Sequence, residues 1–336
     1  MTADGLNRRV LLVRRPEGMP VDADFDIEDA PIPRPADGEI LLRHRHIGLQ
    51  PSSRIRMSQL PGYAPPSPLR SVPTGPVVAE VIETKNNAFA KGDIVVAAEG
   101  GWQSYSLSDG SGVEKLDERT FCETHALGCL GSSGMTGYVG ILDIAKARAG
   151  ETVVVSAASG AVGSVAGQIA KLQGCKVVGI AGGHEKCAYV IERLGFDACV
   201  DHRADDFLDR LAAACPDGID VNFENVGGLV RDATWKLMRR HSRVALCGVI
   251  SEYGVAEPLP GPSWYEALVK RITIQGFLLR DHLHRRSDFL DDASRWLRDG
   301  KLQYREHITH GLENAPRAFM DLLAGRNFGK AIISLG

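Results

Sequence analysis

The sequence predicts a two-domain α/β protein: a mostly β, barrel-like domain joined to a doubly wound parallel sheet of the Rossmann type. Three observations carry this expectation. The chain has 336 residues, more than one typical core holds. Residues 1–127 are rich in Gly, Pro and short β-like runs with no long helical period. From Gly128 onward, β-branched apolar runs alternate with helical periods of about ten residues, the signature of strands joined by crossover helices.

In the first part the β-like runs are Arg9–Val13, Glu39–His44, Val77–Glu83 and Asp93–Ala97, separated by turn signals such as Pro33-Arg34-Pro35 and Lys91-Gly92-Asp93. The proline-rich stretch Pro61–Pro76 reads as an irregular surface loop. In the second part the expected order is helix Met135–Ala147, strand Thr152–Ser156, helix Ala161–Gln173, strand Lys176–Ala181, helix Glu185–Leu194 and strand Ala198–Asp201. There follow helix Asp205–Cys215, strand Val221–Asn225, helix Leu229–Met238, strand Arg243–Cys247, a strand near Ile272–Leu278 and helix Phe289–Asp299. The apolar tail Ala331–Leu335 returns to the β domain as a strand. This divides the chain into 1–127 with 300–336, and 128–299.

Composition excludes several classes. Apolar residues make up 44% and charged residues 24%, with a formal net charge of -3, so neither nucleic acid nor a membrane is expected as the partner. The only apolar run near the start, Val10–Val13, is too short for a signal-peptide core, and a cytoplasmic protein is expected. The seven cysteines include no C-x-x-C pair, which argues against a disulfide framework or a four-cysteine zinc lobe. Buried reduced thiols are expected instead.

The motif that carries chemistry is VVVSAASGAVGSVAGQIAKLQG, starting at Val153. An apolar strand runs into Ala157-x-x-Gly160-x-x-Gly163, a variant of the dinucleotide fingerprint with Ala at its first position. The glycines let a pyrophosphate approach the backbone, and the helix start offers free N–H groups and positive dipole. Val162, Val165, Ala166 and Ile169 then form one apolar stripe at helical spacing. After the next strand an NAD site usually has Asp or Glu for the ribose hydroxyl. Here Gly182-Gly183-His184 stands, followed by Glu185 and Lys186. Lys186, with His202 and Arg203 as helpers, suits a 2′-phosphate, so NADP is expected over NAD.

The stretch AASGAVGSVAGQIAKLQGCKVVG followed by EK resembles the coenzyme site of the zinc-independent medium-chain dehydrogenase/reductases. The resemblance is closest to the leukotriene B4 dehydrogenase/prostaglandin reductase family, which includes NADPH-dependent curcumin and alkenal double-bond reductases. Gly134–Leu142 (GMTGYVGIL), Val221–Gly228 (VNFENVGG), Arg243–Gly254 (RVALCGVISEYG) and Asn327–Lys330 (NFGK) extend it over most of the chain. It implies a GroES-like β domain holding the substrate, a Rossmann NADP-binding domain, a homodimer, and reduction of the C=C bond of an α,β-unsaturated aldehyde or ketone. It also implies a cofactor site lined by Thr136, Gly160, Ala161, Val162, Gly163, Lys186, Asn225, Cys247, Gly248, Ile250, Ser251, Tyr253, Phe277, Leu279 and Asn327. His202 stands where the family often has Tyr and is expected to donate near the adenosine phosphate.

Leu49–Met57 (LQPSSRIRM) matches a family stretch written L-D-P-Y-M-R-G-R-M. Ser52 therefore replaces an aromatic wall, and the pocket should be wider or differently shaped. Ser52 and Arg54 are candidate substrate contacts, the other reading being a loop with solvated Arg54 and Arg56. No catalytic zinc is expected, because Ile47–Ser53 and Thr74–Glu80 offer neither Cys nor His. Tyr253 is the candidate catalytic residue, either donating to the enolate or anchoring the cofactor; an ordinary Tyr pKa near ~10 keeps it a donor at neutral pH. The run Asp281–Arg286 reads as a solvated, mobile loop, with His282 a candidate at the substrate entrance. Trp264 and Tyr265 belong either to that mouth or to the core. Two other functions stay open at this point: an NADPH quinone oxidoreductase, and an NADPH-binding regulator without turnover.

Overall fold

The computed structural model describes residues 5–59, 62–255, 257 and 259–336. In chain order the elements begin with β1 (Leu6–Leu12), β2 (Phe25–Pro31), β3 (Ile40–Gly48), the short helix α1 (Ser53–Arg56), β4 (Val77–Thr84), β5 (Ile94–Ala97), β6 (Tyr105–Ser108) and β7 (Val113–Lys115). Then come α2 (Ser132–Val139), β8 (Thr152–Ser156), α3 (Gly163–Leu172), β9 (Lys176–Ala181), α4 (His184–Glu192), β10 (Ala198–Asp201), α5 (Phe207–Ala214) and β11 (Ile219–Glu224). The order continues with α6 (Gly228–Leu237), β12 (Met238–Leu246), α7 (Trp264–Lys270), β13 (Thr273–Gly276), α8 (Arg286–Arg298), β14 (Glu306–His310), α9 (Ala315–Leu323) and β15 (Lys330–Ser334). Two compact units result: the described residues up to Gly128 together with Glu306–Gly336, and Cys129–Arg305.

In the first unit the sheet runs β14-β15-β3-β4-β5-β7, with β6 paired to β3, and β1 and β2 form a separate antiparallel ribbon. The tail strand β15 has all five residues buried. It pairs antiparallel with β3 and parallel with β14. The core gathers around Trp102, which stacks near Phe25 and meets the edge of Phe319 from α9. Pro61 of the expected surface loop lies outside the described residues. In the remainder of that loop, Ser67 is held by the Arg15 guanidinium on its carbonyl.

In the second unit the parallel sheet has the order β10-β9-β8-β11-β12-β13. β8 reads Thr-Val-Val-Val-Ser because a central parallel strand is covered on both faces, and all five residues are buried. α3 lays Val165, Ala166, Ile169 and Ala170 on the core. An added Cβ at Gly167 would lie 1.8 Å from Phe196 Cζ, so glycine sets the close approach there.

Several boundaries differ from expectation for identifiable reasons. The second crossing between units falls after Arg305 rather than at 299/300. Gln303 N donates to Gln168 Oε1 at 2.7 Å, Gln168 Nε2 returns to Gln303 O at 2.9 Å, and Leu302 is buried in the same core. The helix expected over Met135–Ala147 starts three residues earlier and passes into a π-helical stretch, Gly140–Ala145. Asp281–Arg286 is not an irregular loop: Leu279–Arg285 forms a 3₁₀ turn, on which Asp281, Leu283 and His284 are exposed as expected. Arg285 anchors it by donating to Asp143 at 2.6 Å and to the Tyr138 hydroxyl at 3.4 Å. Helices α7 and α9 occupy segments where no helix was expected, and on α7 Trp264 and Tyr265 are exposed rather than core.

Candidate functional site

The phosphate-binding turn begins where β8 ends. Ala157 takes the left-handed conformation at φ 50°, which turns the chain without the usual glycine. Ala158 N donates to Ile180 O and Gly160 N to Ala157 O, both at 2.9 Å. A Cβ on Gly163 would lie 2.4 Å from Ala157 O, and one on Gly160 3.1 Å from the same atom. The strand end and the helix start therefore pack backbone to backbone. Ser164 N donates to Gly160 O at 3.1 Å and Ala166 N to Val162 O at 2.9 Å, so what the turn offers an anion is the positive dipole end of α3. Ala161 and Val162 complete this turn, and Val162 packs on the core.

At the end of β9, Gly182 and Gly183 lead into α4, and Gly183 needs its positive φ of 90°. A Cβ on Gly182 would lie 2.9 Å from both Arg203 Nε and His202 Cε1. These side chains are thus folded over the strand end. Lys186, in the first turn of α4, has its pKa lowered by burial and by the Arg203 cation. Repulsion between neighbouring cations is what a bound dianion relieves, so the donor set fits a 2′-phosphate. His202 Nδ1 lies 2.8 Å from Ala181 O. A carbonyl only accepts, so Nδ1 is the donor in this contact. Nε2 is therefore the ring nitrogen that remains for a ligand.

Along the β11 and β12 ends, Asn225 Nδ2 donates to Ser156 O at 2.7 Å. Cys247 N and Gly248 N both donate to Glu224 O at 3.0 Å. Burial, aided by Glu224, pushes the Cys247 thiol up to about 12, so it is a neutral wall and no nucleophile. Ile250 N donates to Asn225 O at 3.1 Å, and the Ser251 hydroxyl to Val226 O at 2.6 Å. A Cβ on Gly248 would lie 2.9 Å from the Tyr253 hydroxyl oxygen. Glycine here lets the phenol lie over the strand end. Thr136 is half-buried and donates to Ser132 O at 2.7 Å. Phe277 sits edge-on between Phe223 and His282, with Leu279 packed on the same core. His282 is half-buried on the anchored 3₁₀ turn, beside Phe277.

The first unit carries the remaining candidates. Ser52 is half-buried at the start of α1. Arg54 is 1% exposed, and its guanidinium donates to Gly18 O at 2.8 and 3.1 Å and to Pro16 O at 3.0 Å. Arg54 is therefore neither solvated nor presented to a substrate: it ties the segment before β2 to α1. Arg56 reaches Glu99 at 2.8 Å. Asn327 Nδ2 donates to Gly329 O at 2.7 Å. Lys330, missed by sequence reasoning, is buried with its ammonium on Leu49 O at 2.9 Å.

Residues 8–116 match the family model described as the N-terminal domain of oxidoreductase, and residues 161–298 the model described as zinc-binding dehydrogenase. The chain is 45% identical to the NADPH-dependent curcumin reductase of Escherichia coli K12, over 97% of this chain and 96% of that protein. It is 42% identical to prostaglandin reductase 1 of Bos taurus, covering 94% and 95% of the two chains. The crystal structure of CurA from Vibrio vulnificus in complex with NADPH superposes with a TM-score of 0.94 at 45% identity, covering 98% and 99%. The chain belongs to the prostaglandin reductase family of zinc-independent medium-chain dehydrogenase/reductases. Its mixed sheet and its parallel sheet are the GroES-like and Rossmann folds of that family. One of the matching models takes its description from zinc enzymes, yet among the described residues no group of three or more His, Cys, Asp or Glu side chains is disposed to hold a metal ion. The two departures from the family pattern read in the sequence, Ser52 and His202, lie one on each unit.

Proposed function

We propose that this protein uses NADPH to reduce the C=C bond of an α,β-unsaturated aldehyde or ketone, without zinc. The observation that carries the reading is the pairing of a glycine-lined phosphate turn with the Lys186, His202 and Arg203 cluster at the next strand end. When bound, NADPH supplies the hydride that goes to the β-carbon. Gly160, Ala161, Val162 and Gly163 hold the pyrophosphate on the start of α3. Lys186 and Arg203 hold the 2′-phosphate, with His202 beside them at the strand end. Asn225, Cys247, Gly248, Ile250, Ser251, Thr136, Phe277 and Leu279 wall the nicotinamide half from water. Tyr253 anchors the cofactor and keeps a hydroxyl donor beside the reacting end. Asn327 is a further cofactor candidate and Ser52 a substrate candidate, as the family resemblance implies. His282 stands at the entrance, held by the turn that Arg285 anchors.

The protein works as a homodimer in the cytoplasm. The homodimer is supported by the edge strand β13, exposed along its length, and by α7, which turns Trp264, Tyr265 and Leu268 outward. Among the described residues no helix is long and apolar enough to cross a membrane.

Lys186→Ala tests the cofactor assignment. Removing a charge-assisted contact to the 2′-phosphate should weaken NADPH by about 10- to 100-fold and leave NADH within twofold. Equal weakening of both refutes the assignment. Product analysis with a 2-alkenal should give the saturated aldehyde. An allylic alcohol, or turnover confined to quinones, refutes the proposed reaction.

A further inference from the structure

Glu224 closes β11 and is 1% exposed. Its carboxylate meets donors on every side. Oε1 accepts from the Ser156 hydroxyl at 2.9 Å, from Val226 N at 2.7 Å and from Gly227 N at 3.1 Å. Oε2 accepts from Asn222 Nδ2 at 3.1 Å. Ser156 is the last residue of β8, and its hydroxyl oxygen in turn accepts from Asn225 N at 2.7 Å. The backbone carbonyl of Glu224 receives Cys247 N and Gly248 N, both at 3.0 Å. One residue thus joins the start of the phosphate turn, the 225–228 turn and the segment after β12.

The place of these contacts gives them meaning. In the order β10-β9-β8-β11-β12-β13 the chain winds outward from β8 through β9 and β10, then returns to lay β11 on the other side of β8. The C-terminal ends of β8 and β11 therefore flank the point where winding reverses, where open α/β sheets bind their ligands. A carboxylate taken out of water is costly unless donors surround it, and apolar packing would hold two strands together more cheaply. Apolar contacts, however, do not fix the direction of N–H groups.

We infer that Glu224 is a positioning residue for the dinucleotide crevice, fixing the two strand ends and the 225–228 turn through Ser156, Val226 N and Gly227 N. This rests on the crevice being the NADPH site, as proposed above. It acts on backbone that both nicotinamide dinucleotides share, so it serves NADPH and NADH alike, unlike Lys186.

The test uses the full-length protein with Glu224→Gln and Ser156→Ala, and Lys186→Ala alongside. NADPH and NADH dissociation constants are read by fluorescence titration, and kinetics are followed with a 2-alkenal. Glu224→Gln should raise both dissociation constants and the KM for NADPH about tenfold, and Ser156→Ala about threefold. At saturating NADPH, kcat should stay within threefold and the KM for the alkenal within twofold. A merely structural residue lowers thermal stability without this split. Both dinucleotides binding within twofold of wild type, or weakening confined to NADPH, overturns the inference. If Glu224→Gln does not fold, Ser156→Ala decides by the same criteria. A neutral Lys186→Ala would instead strike at the site assignment itself, which separates the two failures.

Discussion

Replacing Gly163 by Ala puts the phosphate turn under a direct physical test. Gly163 opens α3, and propensity alone predicts that Ala gains up to about 1 kcal/mol in a helix. The structure predicts the opposite sign. The new Cβ would sit 2.4 Å from Ala157 O, 2.9 Å from Ala157 C and 3.1 Å from Ala158 Cα. Against an ordinary separation of about 3.5 Å, the first of these is short by roughly 1 Å. All three atoms are backbone, so relief requires moving the turn or the helix start. Overpacking of this kind costs about 1–3 kcal/mol. A 2.4 Å contact with backbone belongs at the upper end of that range, about 2–3 kcal/mol, so set against the propensity gain the net destabilisation is about 1–2 kcal/mol, or a melting temperature lower by about 2–6 °C. The same displacement carries N–H groups out of hydrogen-bond range of a phosphate, at about 1.5–3 kcal/mol for each hydrogen bond broken. The NADPH dissociation constant should therefore rise at least tenfold. Gly167→Ala is the control. Its Cβ would meet the buried Phe196 ring at 1.8 Å, on the core side of the helix, so it should lower stability without weakening NADPH. Thermal unfolding followed by circular dichroism and NADPH fluorescence titration read both effects. A Gly163→Ala protein as stable as wild type, with NADPH binding within twofold, would refute this account of the turn.

Two further outcomes follow from backbone strain and burial. Ala157 at φ 50° carries a left-handed penalty of about 1 kcal/mol. Glycine relieves it but adds unfolded-state freedom worth about 0.4–1 kcal/mol. Ala157→Gly should thus be neutral or slightly stabilising in urea unfolding, while Ala157→Val should lose more than about 1 kcal/mol; equal effects would refute the strain. Burial lowers the Lys330 pKa to about 8, with Glu306 opposing. Between pH 8 and the ordinary lysine value near 10.4, the unfolded chain holds a proton that the folded chain has released. Stability from this group therefore rises with pH through that window, by up to about 3 kcal/mol. Lys330→Met removes that slope. Urea midpoints of both proteins at pH 7.5 and pH 10 check it, and an unchanged pH dependence in the variant refutes it.

The parts of the molecule legible in the sequence are those whose cause is local. Strands β8 and β9 fall where the apolar β-branched runs place them, because a strand buried on both faces has no room for polar alternation. The phosphate turn is legible because glycine marks backbone approach wherever it falls. β13 is shorter than expected because its four residues are exposed, and no apolar period fixes its ends. Helix α7 hides for a related reason. Its large apolar side chains face outward, so they look like core or loop until the fold assigns them a side.

Charged residues resist reading for a different physical reason. A buried charge is stabilised by donors or acceptors that the fold brings from far along the chain. Arg54 looks like a solvated loop residue until Pro16 and Gly18, 38 and 36 positions away, offer their carbonyls. Glu224 looks like an ordinary acid before a turn until Ser156, 68 positions away, presents its hydroxyl. His202 reads as a phosphate contact with both ring nitrogens open until the Ala181 carbonyl, 21 positions away, accepts from Nδ1. In each case the side chain is visible in the sequence and its partner is not, and the partner decides whether the charge faces a ligand or holds the scaffold. The glycines of the crevice could be found from spacing alone. The residues that set the separation and direction of its two lips, Ser156 and Glu224, could be found only once β8 and β11 were neighbours.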